Sequence, residues 1–283
     1  MRLFAKGLLP CAALLFTSLS YRFASAQWIK YPTAGVPRDK SGKPNLAAPS
    51  PRTAGGKPDF SGMWMIADAL PCPKMLTDDL GECLEKNPIG QITADLNAAV
   101  PGGLPLRPRA LEIRKQRQTT GLDPHVKCLP SSFPRMFTLP HITKFVQTPA
   151  LLILANEFNA SYRQIFLDGR PLPVDPQPSW NGYSTARWDG NTLVVETNGF
   201  RDDLWMDMAG TPLTSTARVT ERFRRPVFGT LEIDATVDDP TVYTHPWSFK
   251  IVDKLVVDTE LIDEICLENE KSSKHMAAHQ AGR

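Results

Sequence analysis

The sequence has no marked charge excess and none of the motifs that announce common enzyme classes. Its formal net charge is +2 and its pI about 8.2, so no long-range field favours nucleic acid or an anionic membrane. It contains no P-loop, dinucleotide fingerprint, H-E-x-x-H helix or G-x-S-x-G elbow. We therefore expect no nucleic-acid partner, no cofactor and no metal site.

Long hydrophobic runs are also rare, and the longest opens the chain. Arg2 and Lys6 precede the apolar run 8–19, and Ala24-Ser25-Ala26 follows it, which is the order of a secretory signal peptide cleaved after Ala26. No later stretch approaches the roughly 20 apolar residues of a membrane span. The pattern predicts a signal peptide over residues 1–26 and a soluble periplasmic or secreted protein without a transmembrane segment.

Cysteine is scarce after this leader. Four remain, namely Cys72, Cys83, Cys128 and Cys266, and none forms the close C-x-x-C pair of a zinc site. An even number in an exported chain favours disulfides. Of the three possible pairings we prefer Cys72 with Cys83 and Cys128 with Cys266, the second tying the middle of the chain to its last strand.

The patterning predicts one domain with appendages. Residues 27–57 are rich in Pro, Gly, Lys and Ser and suit an extended arm, residues 58–270 form a single β-barrel domain, and residues 271–283 form a flexible tail. A helical insertion covers about residues 70–121, with a helix capped by Thr77 and another over 107–119. Insertions of this length are often lids or binding loops.

The fold class that we predict is mainly β, an antiparallel meander closed into a lipocalin-like barrel. A sandwich is the other arrangement open to so long a meander. The predicted strands are 59–66, 142–148, 151–158, 162–168, the central hairpin within 182–200, 214–224, 230–238, 242–249 and 255–266. In that hairpin Asp189-Gly190 forms the turn, so Ala186 faces Leu193 and Ser184 faces Val195.

Three residues are candidates for acid–base chemistry. Glu221 lies on a strand face otherwise occupied by Ala217, Val219 and Phe223, where a carboxylate must be paired, protonated or open to a wet cavity. A structural ion pair with Arg163 or Arg187, or a strand end where this face turns to solvent, is the alternative to a site role. Glu157 has the same two interpretations and can pair with Arg163. His141, at a strand start, is the candidate general base.

Two resemblances accompany these patterns. Gly62-Met63-Trp64 resembles the G-x-W signature that opens the barrel of lipocalins and related calycins, in which the Trp closes one barrel end. Through PDFSGMW, CLPSSFPR, LDGRPLP, ARWDGNTLVVETNGF and VTERFRR the chain is also similar to a group of exported bacterial proteins. Neither resemblance implies a catalytic residue.

The leading functional hypothesis is a binding protein that holds a small, largely apolar molecule inside the barrel. The expected ligand-binding residues lie on the predicted strands and are Trp64, Arg163, Tyr183, Arg187, Trp188, Glu196 and Phe223. The alternatives are a cofactor-free acid–base enzyme, a hydrolase, isomerase or hydratase using Glu221, Glu157 and His141, and a structural or partner-binding envelope protein.

Overall fold

The computed structural model describes residues 31–67 and 92–269. Several predictions fall outside these ranges and have no structural counterpart here. They are the signal peptide, the Thr77 cap, the Cys72–Cys83 disulfide and the C-terminal tail. No helix among the described residues is long and apolar enough to cross a membrane.

A closed barrel of nine strands dominates the described chain, which confirms the predicted fold class. The chain first forms β1 (Gly62–Ile66), which later closes the barrel by pairing with both the second and the last strand. The other barrel strands are β2 (Thr143–Gln147), β3 (Leu151–Asn156), β4 (Tyr162–Phe166), β5 (Tyr183–Asp189), β6 (Thr192–Asn198), β9 (Arg218–Val227), β10 (Thr230–Asp238) and β11 (Trp247–Val256). A small hairpin of β7 (Leu204–Trp205) and β8 (Pro212–Leu213) lies outside the barrel.

The neighbouring barrel strands are antiparallel with one exception, which the predicted meander did not anticipate. Strands β4 and β5 run parallel and pair only at Ile165 with Ser184 and at Phe166 with Thr185. Parallel neighbours cannot be joined by a tight turn, because the chain must first return to the end of the barrel where the first of the two strands began. The Pro-rich connection 171–178 lies in the segment that makes this return. The wall is therefore weakest between β4 and β5.

Short helices follow the first strand, as predicted. They are α1 (Leu96–Ala99), α2 (Pro108–Thr120), a 3₁₀ turn (Pro124–Lys127), α3 (Arg135–Thr138) and, after the barrel, α4 (Cys266–Asn269). The predicted helix over 107–119 corresponds to α2 within one residue. Cys128 and Cys266 form the predicted disulfide. Cys266 begins α4, however, so the bond ties the chain to a segment beyond the last strand.

The predicted register of the central hairpin is wrong. In the central hairpin Asp189 pairs with Thr192, so Gly190-Asn191 forms the turn and Ala186 faces Val195. Gly190 has φ +59°, so it adopts the left-handed conformation as the first turn residue instead of the second. Moving the turn by one residue moves the pairing by two, so each side chain keeps its predicted face.

The strands predicted over 242–249 and 255–266 are replaced by the single strand β11. Its inward-facing positions continue without interruption through Trp247, Phe249, Ile251, Asp253 and Leu255. Asp253 looks like a turn residue in the sequence, but it occupies an inward position opposite Leu231. The chain from 257 to 265 therefore forms no strand.

The segment 131–139, SSFPRMFTL, fills the barrel interior. All nine of its residues are buried. The ring of Phe137 lies 6.3 Å from that of Phe145 on β2 and 6.2 Å from that of Phe223 on β9, between centroids. Thr143 Oγ1 and Asn156 Nδ2 donate to the Met136 carbonyl, so the backbone of this plug is satisfied as well. The interior is thus packed with aromatic side chains.

Trp64 belongs to the same buried core. Its side chain is fully buried, and its Nε1 donates to the Phe60 carbonyl at 2.9 Å. The Arg225 guanidinium lies 4.8 Å from the Trp64 ring and donates to the carbonyls of Asp59, Ser61 and Phe228. Desolvation lowers the pKa of Arg225 to about 10, which leaves it charged near neutral pH. The sequence analysis did not single out Arg225.

Candidate functional site

Glu221 lies inside the barrel, as its strand pattern predicted, and it is ion-paired. Its side chain is 0% exposed and that of its partner Arg163 is 1% exposed. Arg163 Nη1 donates to Glu221 Oε1 at 3.0 Å, and Nη2 donates to Glu221 Oε2 and, at 2.8 Å, to Thr197 Oγ1. Arg163 Nε donates to Ser184 Oγ at 3.1 Å. Four of the five N–H groups of the guanidinium thus donate hydrogen bonds, so of the two interpretations the geometry favours the structural ion pair.

The two other catalytic candidates lie near the end of β3. Glu157 Oε2 accepts a hydrogen bond from the backbone N–H of Ile142 at 2.8 Å. His141 Nδ1 lies 3.0 Å from Glu264 Oε2, a residue that the sequence analysis did not consider. The expected pair between Glu157 and Arg163 does not form. Glu157 continues the outward face of β3, whereas Arg163 points into the barrel.

The expected ligand-binding residues do not converge on one cavity. Arg187 and Glu196 lie on the outer face, where Arg187 Nη1 donates to Glu196 Oε2 at 2.7 Å with side chains 64% and 46% exposed. Trp188 stacks on Phe60 at 5.9 Å, while Phe223 is fully buried in the core. Arg163 and Tyr183 line one cavity, and its lining includes none of the other five.

That cavity, which we call the β4–β5 cleft, has a volume of about 480 Å³ and opens where strands β4 and β5 separate. Gly182 helps to shape it. With φ +64°, it passes so close to β6 that a Cβ atom there would lie 2.5 Å from the Asn198 carbonyl oxygen. Only glycine permits this approach without strain. The chain before β5 is therefore held against β6.

Four aromatic side chains, Tyr162, Phe166, Trp180 and Tyr183, line the cleft. Phe166 and Tyr183 stack with centroids 5.1 Å apart, and the Arg170 guanidinium covers Phe166 at 3.9 Å. The Arg201 guanidinium lies 4.8 Å from the Trp180 ring. Tyr162 is 64% exposed, and so offers its surface to solvent or to a ligand.

Two buried polar atoms in the cleft lack partners. Ser161 is 9% exposed and Asn181 is 7% exposed, yet Ser161 Oγ and Asn181 Oδ1 accept or donate no hydrogen bond within residues 31–67 and 92–269. Asn181 Nδ2 donates to the Tyr162 carbonyl at 3.2 Å, which fixes the orientation of the amide. Buried polar atoms without partners are uncommon in folded proteins, and two of the eight in the described residues lie in this one cleft, where a bound water or ligand could pair with them.

The cleft contains little charge. Its lining includes no carboxylate, imidazole, thiol or amine within the described chain, and its one guanidinium, that of Arg163, is paired with Glu221. The arrangement can therefore stack against an apolar face and exchange hydrogen bonds at an uncharged edge. The proton-exchanging groups in its described lining are the phenols of Tyr162 and Tyr183.

One further polar pair was not anticipated from the sequence. His125 Nδ1 lies 3.3 Å from Ser131 Oγ, and the His125 ring stacks on Phe158 at 4.1 Å. Burial, and then the Arg135 charge, lower the pKa of His125 to about 4. Ser131 is only 2% exposed, so this hydroxyl is closed to a substrate.

Comparisons with protein-family models, with curated proteins and with solved structures returned no match. The fold and the cleft define the chain as a closed β-barrel with an aromatic-lined cleft in its outer wall, in which the one lining guanidinium is ion-paired.

Proposed function

We propose that this protein is a binding module that holds a small, uncharged molecule in the β4–β5 cleft. The observation that carries the proposal is the pair of unpartnered buried atoms, Ser161 Oγ and Asn181 Oδ1, in an aromatic-lined cavity of about 480 Å³. Ligand sites have this size and this mixture of aromatic walls with a few polar groups. Each buried unpaired atom costs about 1–3 kcal/mol, and a ligand that pairs with it recovers that energy.

The proposal places the ligand outside the barrel wall and not in the barrel interior that the sequence suggested. Phe137 of the plug already lies among Phe145 and Phe223, at the centre of the barrel. The polar groups around Glu221 already pair with one another. A ligand in the interior would have to displace well-packed aromatic side chains, which is costly.

Binding is favoured over acid–base catalysis because of what the cleft lacks. The candidate His141 pairs with Glu264, and the candidate Glu157 accepts a hydrogen bond from the Ile142 N–H. Neither His141 nor Glu157 lines the cleft. A general base must come within hydrogen-bonding distance of the proton that it removes. The described lining of the cleft contains no carboxylate or imidazole that could do so near neutral pH.

We also place this binding function outside the cytoplasm. The Cys128–Cys266 disulfide supports that location, because such bonds persist in oxidising compartments. Fractionation of the producing cells and N-terminal sequencing of the purified protein test it, with a mature N-terminus at Gln27 as the expected result. A full-length, reduced cytoplasmic protein would contradict it.

A matched pair of tyrosine variants tests the site. Tyr162→Ala removes an exposed ring from the cleft, and Tyr31→Ala removes a ring of similar exposure, 71%, elsewhere. The assay is isothermal titration of the full chain with a panel of uncharged sugars, nucleosides, phenols and sterols. At least one class should bind, and Tyr162→Ala alone should weaken it about tenfold or more, since the variant loses both the apolar area buried by the ring and a stacking contribution of roughly 0.5–1.5 kcal/mol. Binding that ignores Tyr162→Ala would contradict the proposal.

A further inference from the structure

We infer that the ligand of the β4–β5 cleft is a neutral saccharide. This inference rests on the proposed binding function and narrows it to one chemical class. It follows from three features of the cleft, namely its hydrogen-bonding atoms, its exposed ring and its lack of free charge.

The available polar atoms suit hydroxyl groups. Asn181 Oδ1 is free to accept a hydrogen bond, and Ser161 Oγ is free to donate one and to accept others. The Gln164 side chain is exposed at the same wall and offers an amide that does both. A sugar hydroxyl also donates and accepts, so one hydroxyl can satisfy either buried atom. A purely apolar ligand would leave both atoms unpaired.

The aromatic arrangement suits a pyranose ring. A pyranose presents C–H groups on one face and hydroxyls around its edge, and the exposed Tyr162 ring offers a single flat surface for such a face. A planar nucleobase would need a gap between two aromatic rings in which to insert, and Phe166 and Tyr183 leave no such gap. These two rings already stack on each other at 5.1 Å, and Arg170 covers the remaining face of Phe166.

The charge distribution disfavours ionic ligands. An anion needs a free cation, but Arg163 is committed to Glu221, Ser184 and Thr197, and the two arginines that cover lining rings, Arg170 and Arg201, are ion-paired with Asp168 and Asp203. A cation needs a carboxylate, and the described part of the lining contains none. Acidic sugars, phosphorylated sugars and amines should therefore bind worse than neutral sugars.

Saturation-transfer NMR and titration calorimetry on the full chain test this inference. The saccharide probes are glucose, maltose, cellobiose and N,N′-diacetylchitobiose, and the comparison probes are glucuronate, adenosine and 4-nitrophenol. We expect at least one neutral saccharide to bind, and glucuronate to bind at least tenfold more weakly than that saccharide. Saturation transfer should be strongest to protons on one face of a sugar ring.

Conservative variants separate a binding role from a structural one. Ser161→Ala should weaken saccharide binding about five- to tenfold, since it removes one hydrogen bond while leaving the fold intact. Tyr162→Phe should retain binding within about threefold, whereas Tyr162→Ala should lose at least tenfold, because stacking needs the ring and not its hydroxyl. Equal losses in both Tyr162 variants would overturn the stacking argument.

The outcomes distinguish the class from the site. If adenosine or 4-nitrophenol binds in a Tyr162-dependent manner and no saccharide does, the saccharide inference falls and the proposed function stands. If a saccharide binds with equal affinity to wild type, Ser161→Ala and Tyr162→Ala, both the inference and the proposed site fall. If no probe of any class binds, both fall as well.

Discussion

Replacing Glu221 by Gln is the sharpest test of the packed interior. The substitution keeps the shape of the side chain but leaves the Arg163 guanidinium charged, 1% exposed and without a carboxylate. Breaking a buried ion pair by removing one partner costs about 3–5 kcal/mol, because the remaining charge stays desolvated. We expect the free energy of unfolding of Glu221→Gln to fall by about that amount.

The matched control is Glu196→Gln on the adjacent strand β6. Glu196 pairs with Arg187 on the outer face, where both side chains are largely exposed, so this change should cost less than about 1 kcal/mol. Urea unfolding followed by tryptophan fluorescence measures both variants. The double variant Arg163→Met with Glu221→Leu should recover most of the loss, since it removes both charges. A loss below about 1 kcal/mol for Glu221→Gln would refute the reasoning, because it would mean that water reaches the pair.

Three further predictions concern buried groups and the disulfide. Burial raises the pKa of Asp253 well above its usual value, and Asp253 Oδ1 has no hydrogen-bond partner in the described ranges. Above about pH 4 the folded chain therefore keeps a proton on Asp253 that the unfolded chain releases. Asp253→Asn should therefore stabilise the protein by about 1–3 kcal/mol at pH 8 and not at pH 3 in chemical denaturation; equal effects at both would contradict this. The pKa of His125 in the folded chain, about 4, lies below its usual 6.5, so the stability contributed by neutral His125 is complete above pH 6.5. About 3 kcal/mol of that stability is lost as the pH falls to 4. His125→Gln should therefore flatten the dependence of the unfolding free energy on pH in urea titrations, whereas an unchanged dependence would mean that other groups cause it. Replacing Cys128 and Cys266 by Ser opens a bond of sequence separation 138 and should cost about 5 kcal/mol in the chain-entropy model, read as a lower urea midpoint, whereas an unchanged midpoint would show that the bond does not form.

Strand alternation made much of the barrel predictable. The pattern of Val219, Glu221 and Phe223 placed Glu221 on the inner face, and the same reasoning on β4 placed Arg163 there, so their pairing was one of the alternatives. The register of the central hairpin was missed because two adjacent residues, Asp189 and Gly190, compete to start the turn. β11 was split because a buried carboxylate at Asp253 imitates a turn signal.

The alternation of buried and exposed residues along the strands could predict neither the cleft nor the segment 131–139. The cleft exists because β4 and β5 run parallel and pair over only two residues, which depends on how the Pro-rich connection crosses the wall. The segment 131–139 is buried along its whole length, so it shows no alternation between exposed and buried faces. The sequence did contain one indication of the cleft, namely the aromatic and amide pair Trp180-Asn181 directly after the Pro-rich connection.

The central claim is that the ligand site lies in the outer wall of the barrel while the interior is filled. Backbone amide chemical-shift mapping of the isotope-labelled protein, titrated with the tightest-binding probe of the panel, tests it most directly. The account predicts that the largest shifts cluster at residues 159–166 and 179–183. Shifts concentrated instead at the inward-facing positions of β10 and β11, such as Ile233 and Ile251, would show that the ligand enters the barrel and would contradict the claim.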